Sequence, residues 1–335
     1  MRRALAVALA VLATAACKHD TPSSSADGGS PKASVTKIAV IPKGTTHEFW
    51  KTVHAGAAKA AQEQKVEIVW KGPLKEDDLK AQIDVVQSFT AQGVSGIVLA
   101  PLSDKALGGA VKGAVASKIP VVIFDSDLEG QDHASFVATD NFAAGKMAGE
   151  HMATLLGGKG NVVMLRYQEG SASTTKREQG FVEALKAHPG VHLVSDNRFG
   201  GATTGSAFTA GENLLTAQKA ATGGVNGVFA PNESTTFGML LAIRKAGLGK
   251  KMKFVGFDSS EKLVGALRDG DLDGLILQDP FNIGYLAVKT MAAHLRGEPI
   301  EKRIDTGARL VKKSNMDDPA MKELLEPDLK KWLLE

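Results

Sequence analysis

The chain has 335 residues, with 40 Lys and Arg against 37 Asp and Glu and a single cysteine. So near a balance lacks the positive excess of a nucleic-acid binder, and one cysteine excludes an internal disulfide. The length exceeds what one hydrophobic core usually organises, so two lobes are expected.

At the start of the chain, Arg2 and Arg3 precede an Ala, Leu and Val run from Ala4 that ends in Thr14, Ala15, Ala16 and Cys17. A basic start, an apolar segment too short to span a bilayer and a small-residue exit describe an export signal over residues 1–16. The pattern resembles a bacterial lipoprotein signal, which implies lipidation of Cys17, attachment to a membrane through that lipid only, and a place on the periplasmic side of the envelope. Thr14 stands where Leu is commonest, and leaves cleavage with release as the alternative. Residues 17–36 are rich in Ser, Gly and Pro, contain almost nothing to bury, and read as a flexible linker behind the anchor. Beyond the signal, every apolar run is broken by charge or Gly well short of the roughly 20 residues that cross a bilayer.

From Lys37, short Val- and Ile-rich runs alternate with helical patterns. Strands are expected at Ile38–Ile41, Val66–Trp70, Ile97–Ala100, Val121–Phe124 and Phe136–Ala138, with helices at Phe49–Gln64, Leu79–Gln92 and Ala106–Ser117. A second half repeats the scheme. Its strands fall near Val162–Arg166, His192–Val194, Gly227–Ala230, Phe254–Phe257 and Leu275–Gln278. Its helices fall near Phe142–Leu156, Thr175–Ala187, Ala207–Thr222, Thr235–Ala246 and Glu261–Arg268. One more helix (Gly284–Arg296) and one strand (Arg303–Val311) follow, then a helical tail over 317–335 interrupted by Pro327. Strict alternation implies an α/β fold with parallel sheets covered by helices on both faces.

In open parallel sheets, ligands bind beyond the carboxyl ends of the strands. Those ends carry Lys43, His47, Phe49 and Trp50 after the first strand, and Asp125 and Ser126 after the fourth. In the second half they carry Asn232 and Glu233, then Asp258, then Gln278. Carboxylates, amides and hydroxyls beside two aromatics suit a hydroxyl-rich guest, and no catalytic set is evident.

The ordered set of Phe49–Trp50, Asp125, the run Thr139-Asp140-Asn141, the R-x-x-G-F pattern of Arg177, Gly180 and Phe181, Asn232, and V-G-F-D ending at Asp258 resembles the periplasmic sugar-binding proteins of the ribose-binding type. The resemblance covers nearly all of Lys37 to Lys312. It implies the type I periplasmic binding protein fold, two doubly wound parallel-sheet lobes joined by a multi-crossing hinge. The N-terminal lobe would comprise residues 37–138 with 280–306, and the C-terminal lobe 139–279 with 307–316. It further implies a monomeric, non-enzymatic receptor without cofactor or metal, closing on a monosaccharide or sugar-like polyol and offering it to an ABC importer permease. Phe49 and Trp50 would cover the faces of the sugar ring, while Asp125, Arg177, Asn232, Asp258 and Gln278 would hydrogen-bond its hydroxyls. His47 stands where ribose binders carry Asn, and Ser126 where they carry Arg, so ribose itself is not implied. Glu233 and Lys43 add charge near the cleft, which leaves a substituted, aminated or acidic sugar open.

Simpler roles exist for the same residues. Phe49 and Trp50 could pack the buried face of a helix, Asp125 could cap the next segment, and Asn232 and Asp258 could serve turns or helix caps. His47 and His54 are seven apart, not the four of a helical zinc pair, and the calcium-loop-like run from Asp269 meets Pro280 where a bidentate Glu is needed. A sensory receptor without transport and an exported hydrolase are the competing functions. A DNA-binding repressor is disfavoured, because an export signal occupies the space a helix-turn-helix would need.

Overall fold

A run such as Val121-Val122-Ile123-Phe124 has no polar side chain, so it is stable as a strand only where both sheet faces are covered. The computed structural model describes residues 35–333, and there these four residues are fully buried. The export signal, Cys17 and the linker through residue 34 lie outside the described residues.

The first half runs β1 (Lys37–Ile41), α1 (Glu48–Gln64), β2 (Glu67–Trp70), α2 (Leu79–Gln92), β3 (Gly96–Leu99), α3 (Gly108–Ala116), β4 (Val121–Phe124) and β5 (Ser135–Ala138). The second runs α4 (Asn141–Leu155), β6 (Gly160–Arg166), α5 (Ala172–Leu185), β7 (Val191–Phe199), α6 (Thr204–Ala217), β8 (Gly227–Phe229), α7 (Glu233–Lys245), β9 (Lys253–Phe257), α8 (Glu261–Asp269) and β10 (Gly274–Leu277). Then follow α9 (Pro280–Leu295), β11 (Arg303–Asp305), β12 (Arg309–Val311) and α10 (Pro319–Leu325). One sheet has the order β11-β5-β4-β3-β1-β2 and the other β12-β10-β9-β8-β6-β7. Every neighbouring pair is parallel except β10 with β12. The chain passes from the first sheet to the second after β5, returns after β10, and passes again between β11 and β12. This is the two-lobed, multiply crossed fold of the type I periplasmic binding proteins.

Alternate residues of each strand feed opposite cores, as the two-residue period requires. In β1, Ile38 and Val40 meet α1 and α9, while Ala39 and Ile41 meet the layer that holds Val86 and Val111. In β6, Val162 and Met164 meet α4 and α5, while Val163 and Leu165 meet α6 and α7. Each lobe also has helices in very close contact at glycines. A Cβ on Gly56 of α1 would lie 1.9 Å from the carbonyl oxygen of Phe281 in α9, and one on Gly145 of α4 would lie 2.0 Å from that of Arg177 in α5.

The strand expected near His192–Val194 extends over Val191–Phe199 and the helix expected near Ala207–Thr222 runs over Thr204–Ala217, and the structure differs further at two places. The single strand expected over Arg303–Val311 is two, one in each sheet. Gly307 breaks it at φ +74°, and Asp305 Oδ1 holds the turn by accepting from the amides of Asp140 and Gly307, each at 2.9 Å. Among the described residues the tail is α-helical only over Pro319–Leu325. There Leu325 joins the core of the second lobe, while Trp332 lies 6.5 Å from the ring of Phe281 at the start of α9. Among the described residues no helix is long and apolar enough to cross a membrane.

Candidate functional site

Two aspartates set the geometry of the site, one per lobe. Asp125 follows β4 and Asp258 follows β9, and both adopt left-handed backbone, at φ 60° and φ 66°. Asp tolerates this conformation better than a β-branched or bulky residue does, and strained backbone of this kind clusters at functional sites. Both are buried, and both point their chemistry toward the waist between the sheets.

On the first lobe, Asp125 pairs with Lys43 at 3.2 Å. Lys43, only 3% exposed, also donates to Ser171 (3.3 Å) and Ser173 (3.1 Å) of the second lobe. His47 sits immediately before α1 without capping it, and its Nδ1 lies 2.7 Å from Glu76. Phe49 and Trp50 open α1 and meet edge to face, with ring centroids 4.9 Å apart. They join the core against β4, where Trp50 meets Phe124, and they also line the chamber between the lobes. The packing role and the chamber-lining role therefore coexist.

On the second lobe, Arg177 of α5 is 2% exposed and held in place by its neighbours. Its Nε donates to Asn141 (2.8 Å), its Nη1 to the carbonyl of Pro231 (2.9 Å), and the guanidinium lies over the ring of Phe257 at 4.0 Å. Asp258 accepts from Gln278 Nε2 (2.7 Å) and from the amide of Glu233 (3.0 Å), and lies 3.9 Å from Arg177. Because that carboxylate fixes which end of the Gln278 amide faces it, Gln278 Oε1 is left pointing elsewhere; it is buried and has no partner. Asn232 caps α7, its Oδ1 accepting from the amide of Thr235 at 3.2 Å, so the capping role is realised at the chamber wall.

Ten of the eleven cleft residues singled out in the sequence line one chamber: Lys43, His47, Phe49, Trp50, Asp125, Arg177, Asn232, Glu233, Asp258 and Gln278. Ser126 does not. Its hydroxyl accepts from the amide of Ser173 at 3.0 Å, so it ties the lobes together behind the chamber. Glu233 lines the chamber but spends its carboxylate on the amides of Phe49 (3.2 Å) and Glu48 (3.4 Å) across the cleft. Sequence reasoning missed Glu76 and Tyr167. They sit in the loops after β2 and β6, and the strand-end rule that selected the other loops covers these as well. Glu76 lies in the charged stretch Lys75-Glu76-Asp77-Asp78, which reads as a solvated turn, yet it is 6% exposed.

Burial raises the Glu233 carboxyl to about 7, helped by Asp258 and Glu48 and opposed by His47 and the Phe49 amide. Burial alone would lower His47, but Glu76, with Glu233 and Asp258, outweighs it and lifts the imidazole to about 9. Burial would likewise raise Glu76, and His47, Lys43 and Tyr167 instead bring it to about 2. Burial pushes Asp258 up and Arg177 down, each partly offset by the other. The chamber thus sets Lys43, His47 and Arg177 against Glu76, Asp125 and Asp258, with Glu233 free to titrate.

Two lobes that meet over a buried chamber of mutually paired polar groups have the architecture of a solute-binding protein. Residues 38–299 match the family described as periplasmic binding protein domain, and the chain belongs to that family. It is 31% identical over 274 residues to the ribose import binding protein of Haemophilus influenzae, an alignment covering 82% of this chain and 90% of that one. Among solved structures, a carbohydrate transporter solute-binding protein from Agrobacterium radiobacter in complex with D-arabinose superimposes with a TM-score of 0.83. It is 33% identical and covers 88% of this chain and 100% of its own. An ABC transporter solute-binding protein from Agrobacterium vitis with bound D-fucose gives a TM-score of 0.82 at 34% identity, covering 86% and 99%. These similar proteins are sugar-binding components of transporters.

Proposed function

We propose that this protein is an extracytoplasmic receptor that closes on one uncharged monosaccharide or sugar-like polyol and delivers it to an ABC importer. The observation that carries the reading is Gln278 Oε1, a buried acceptor without a partner on a residue that lines the chamber. A buried acceptor left unpaired costs about 1–3 kcal/mol, and a ligand hydroxyl would satisfy it. The charges around it are already matched within the protein, so an uncharged polyol fits where a sugar acid or amino sugar would leave a buried charge unpaired. Asp125, Arg177, Asp258 and Gln278 would address the hydroxyls, with Phe49 and Trp50 against the apolar face of the ring.

The lobes in this reading are residues 37–138 with 280–306 and 139–279 with 307–316. Export, lipidation of Cys17 and action as a tethered monomer complete it. A ligand closes the lobes only if it binds the closed state better than the open one, so the true sugar must raise apparent thermal stability. The test is a thermal-shift and calorimetric screen of D-ribose, D-arabinose, D-fucose, related pentoses and hexoses, and polyols. Asp125→Ala should abolish the response. Failure of every neutral sugar and polyol, or unchanged affinity in Asp125→Ala, would overturn the assignment.

A further inference from the structure

Glu76 is the one side chain of the chamber that gathers donors from both lobes. It sits between β2 and α2, and its Oε1 accepts from Trp50 Nε1 at 2.6 Å while lying 2.7 Å from His47 Nδ1. Its Oε2 accepts from the hydroxyl of Tyr167, which follows β6 in the second lobe and is 1% exposed. Its backbone carbonyl accepts from Gln168 Nε2, also of the second lobe, at 3.0 Å. The chain makes room for this carboxylate: a Cβ on Gly44 would come 2.9 Å from Glu76 Cγ.

The two sets of donors differ in what lobe motion does to them. Trp50 and His47 belong to the same lobe as Glu76 and stay with it when the cleft opens. Tyr167 and Gln168 leave. The indole has one donor, so a carboxylate on it selects one orientation of the ring, already wedged edge to face between Phe49 and Phe124. Removing Tyr167 from a buried carboxylate leaves fewer donors on the same charge, and that charge is what holds the indole.

We propose that Glu76 is the positioning residue of the chamber, coupling the orientation of the Trp50 ring to closure through the Tyr167 hydroxyl of the opposite lobe. The proposal rests on the receptor reading for its purpose, but its geometry can be tested without a sugar. Glu76 also sustains the charge on His47. That imidazole faces Glu48 on its own helix, Lys75 and Glu76 on the loop after β2, Glu233 on α7, Asp258 after β9 and Lys262 on α8. Of these, Glu76 makes the only direct ion pair to it among the described residues.

The experiment compares the full chain with Glu76→Gln and with Tyr167→Phe, in three measurements. The first is the His47 titration by NMR, expected near 9 in the parent and at or below its ordinary 6.5 in Glu76→Gln. The second is Trp50 emission in a Trp70→Phe, Trp332→Phe background, expected to shift in Glu76→Gln. The third is the distance between spin labels at Lys112 and Thr209, in a Cys17→Ser background. The short-distance population should fall several-fold in Tyr167→Phe, with the His47 midpoint still well above 6.5. An unmoved His47 midpoint and unmoved emission in Glu76→Gln would overturn the positioning role. An unchanged distance distribution in Tyr167→Phe would overturn the coupling. If Glu76→Gln fails to fold, Tyr167→Phe decides by emission and distance together, and unchanged values in both reject the proposal. Failure of the sugar panel rejects the receptor reading and leaves these three measurements standing.

Discussion

Glu48 and Glu233 trade carboxylates across the cleft. Glu48 opens α1 in the first lobe and accepts from the amide of Glu261, which opens α8 in the second, at 3.0 Å. Glu233 opens α7 in the second lobe and accepts from the amides of Glu48 and Phe49 at the start of α1. Amides in the first turn of a helix have no intrahelical acceptor, and the helix dipole favours a negative charge beside them. Each lobe therefore supplies a carboxyl oxygen to the first turn of the other lobe's helix, and these three bonds join the two lobes.

Bonds made on closure and absent on encounter should govern release rather than capture. Glu48→Ala and Glu233→Ala are each expected to speed sugar release about 3- to 10-fold, the worth of one such hydrogen bond, with association within about twofold of the parent. Stopped-flow tryptophan fluorescence reads both rates. A loss confined to association would assign these carboxylates to steering instead.

The same carboxylate makes closure sensitive to pH. Glu233 sits near 7 in the closed chamber against 4.5 ordinarily, with burial the chief cause. A carboxyl whose value is raised favours the closed form fully below its ordinary pKa, and that contribution is lost as pH rises through the raised one. Sugar affinity should therefore fall between pH 5 and pH 8, by about tenfold or more for a shift of this size. Glu233→Gln should flatten the profile and bind more tightly than the parent at pH 8. Glu76, lowered to about 2, keeps its charge across this window, while the part of the His47 rise that comes from Glu233 and Asp258 of the other lobe adds a loss of the same sign above pH 6.5. Calorimetry from pH 5 to 8 on both proteins distinguishes a flat parent profile, which would refute the assignment.

Lys43 and Asp125 form an ion pair that is buried on both sides, with side chains 3% and 5% exposed. Removing one partner of such a pair strands the other and typically costs about 3–5 kcal/mol. Asp125→Ala has a second penalty, since Ala is less at ease than Asp at φ 60°. It is expected to lower the melting temperature by roughly 2–4 °C per kcal/mol lost. Asp125→Asn keeps the backbone preference and should lose less. Combining it with Lys43→Met removes the stranded cation and should recover most of the stability while leaving sugar binding impaired. Differential scanning calorimetry with a binding assay on the four proteins separates the two effects.

The strands were legible in the sequence because their burial on both faces leaves Val and Ile runs that nothing else explains, as at Val121–Phe124. The chamber lining was legible where a residue ends such a strand, as Asp125, Asp258 and Gln278 do. Ser126 shows the limit: adjacent in sequence to Asp125, it turns its hydroxyl to Ser173, and one residue's difference in direction cannot be read from spacing. Glu76 was hidden for another reason. Its loop is polar and charged like any solvated turn, and only the arrival of Tyr167 and Trp50 from distant positions makes it a buried centre. The break at Gly307 divides the stretch from Arg303 to Val311 between two sheets, and periodicity does not tell which sheet a three-residue strand joins.

Gly180 belongs to the R-x-x-G-F pattern, and its packing gives that pattern a physical cause. A Cβ there would meet the carbonyl oxygen of Phe142 at 2.1 Å, and one on Gly145 would meet that of Arg177 at 2.0 Å, so α4 and α5 touch backbone to backbone. Arg177 rides on this contact, which fixes how far its guanidinium reaches toward Asn141 and Pro231. Gly180→Ala or Gly145→Ala must push α5 away from α4, and overpacking of this kind typically costs about 1–3 kcal/mol. Gly145→Ala should in addition weaken sugar binding, because it moves the backbone that carries Arg177. Gly113 of α3 has nothing within 4 Å of its absent Cβ and an ordinary helical backbone, so Gly113→Ala should stabilise by about 0.5–1 kcal/mol through helix propensity and leave binding alone. Chemical denaturation of the three variants measures opposite signs for one chemical change. A neutral Gly145→Ala would show that helix contact does not control the position of Arg177, and a destabilised Gly113→Ala would refute the open space assigned to α3.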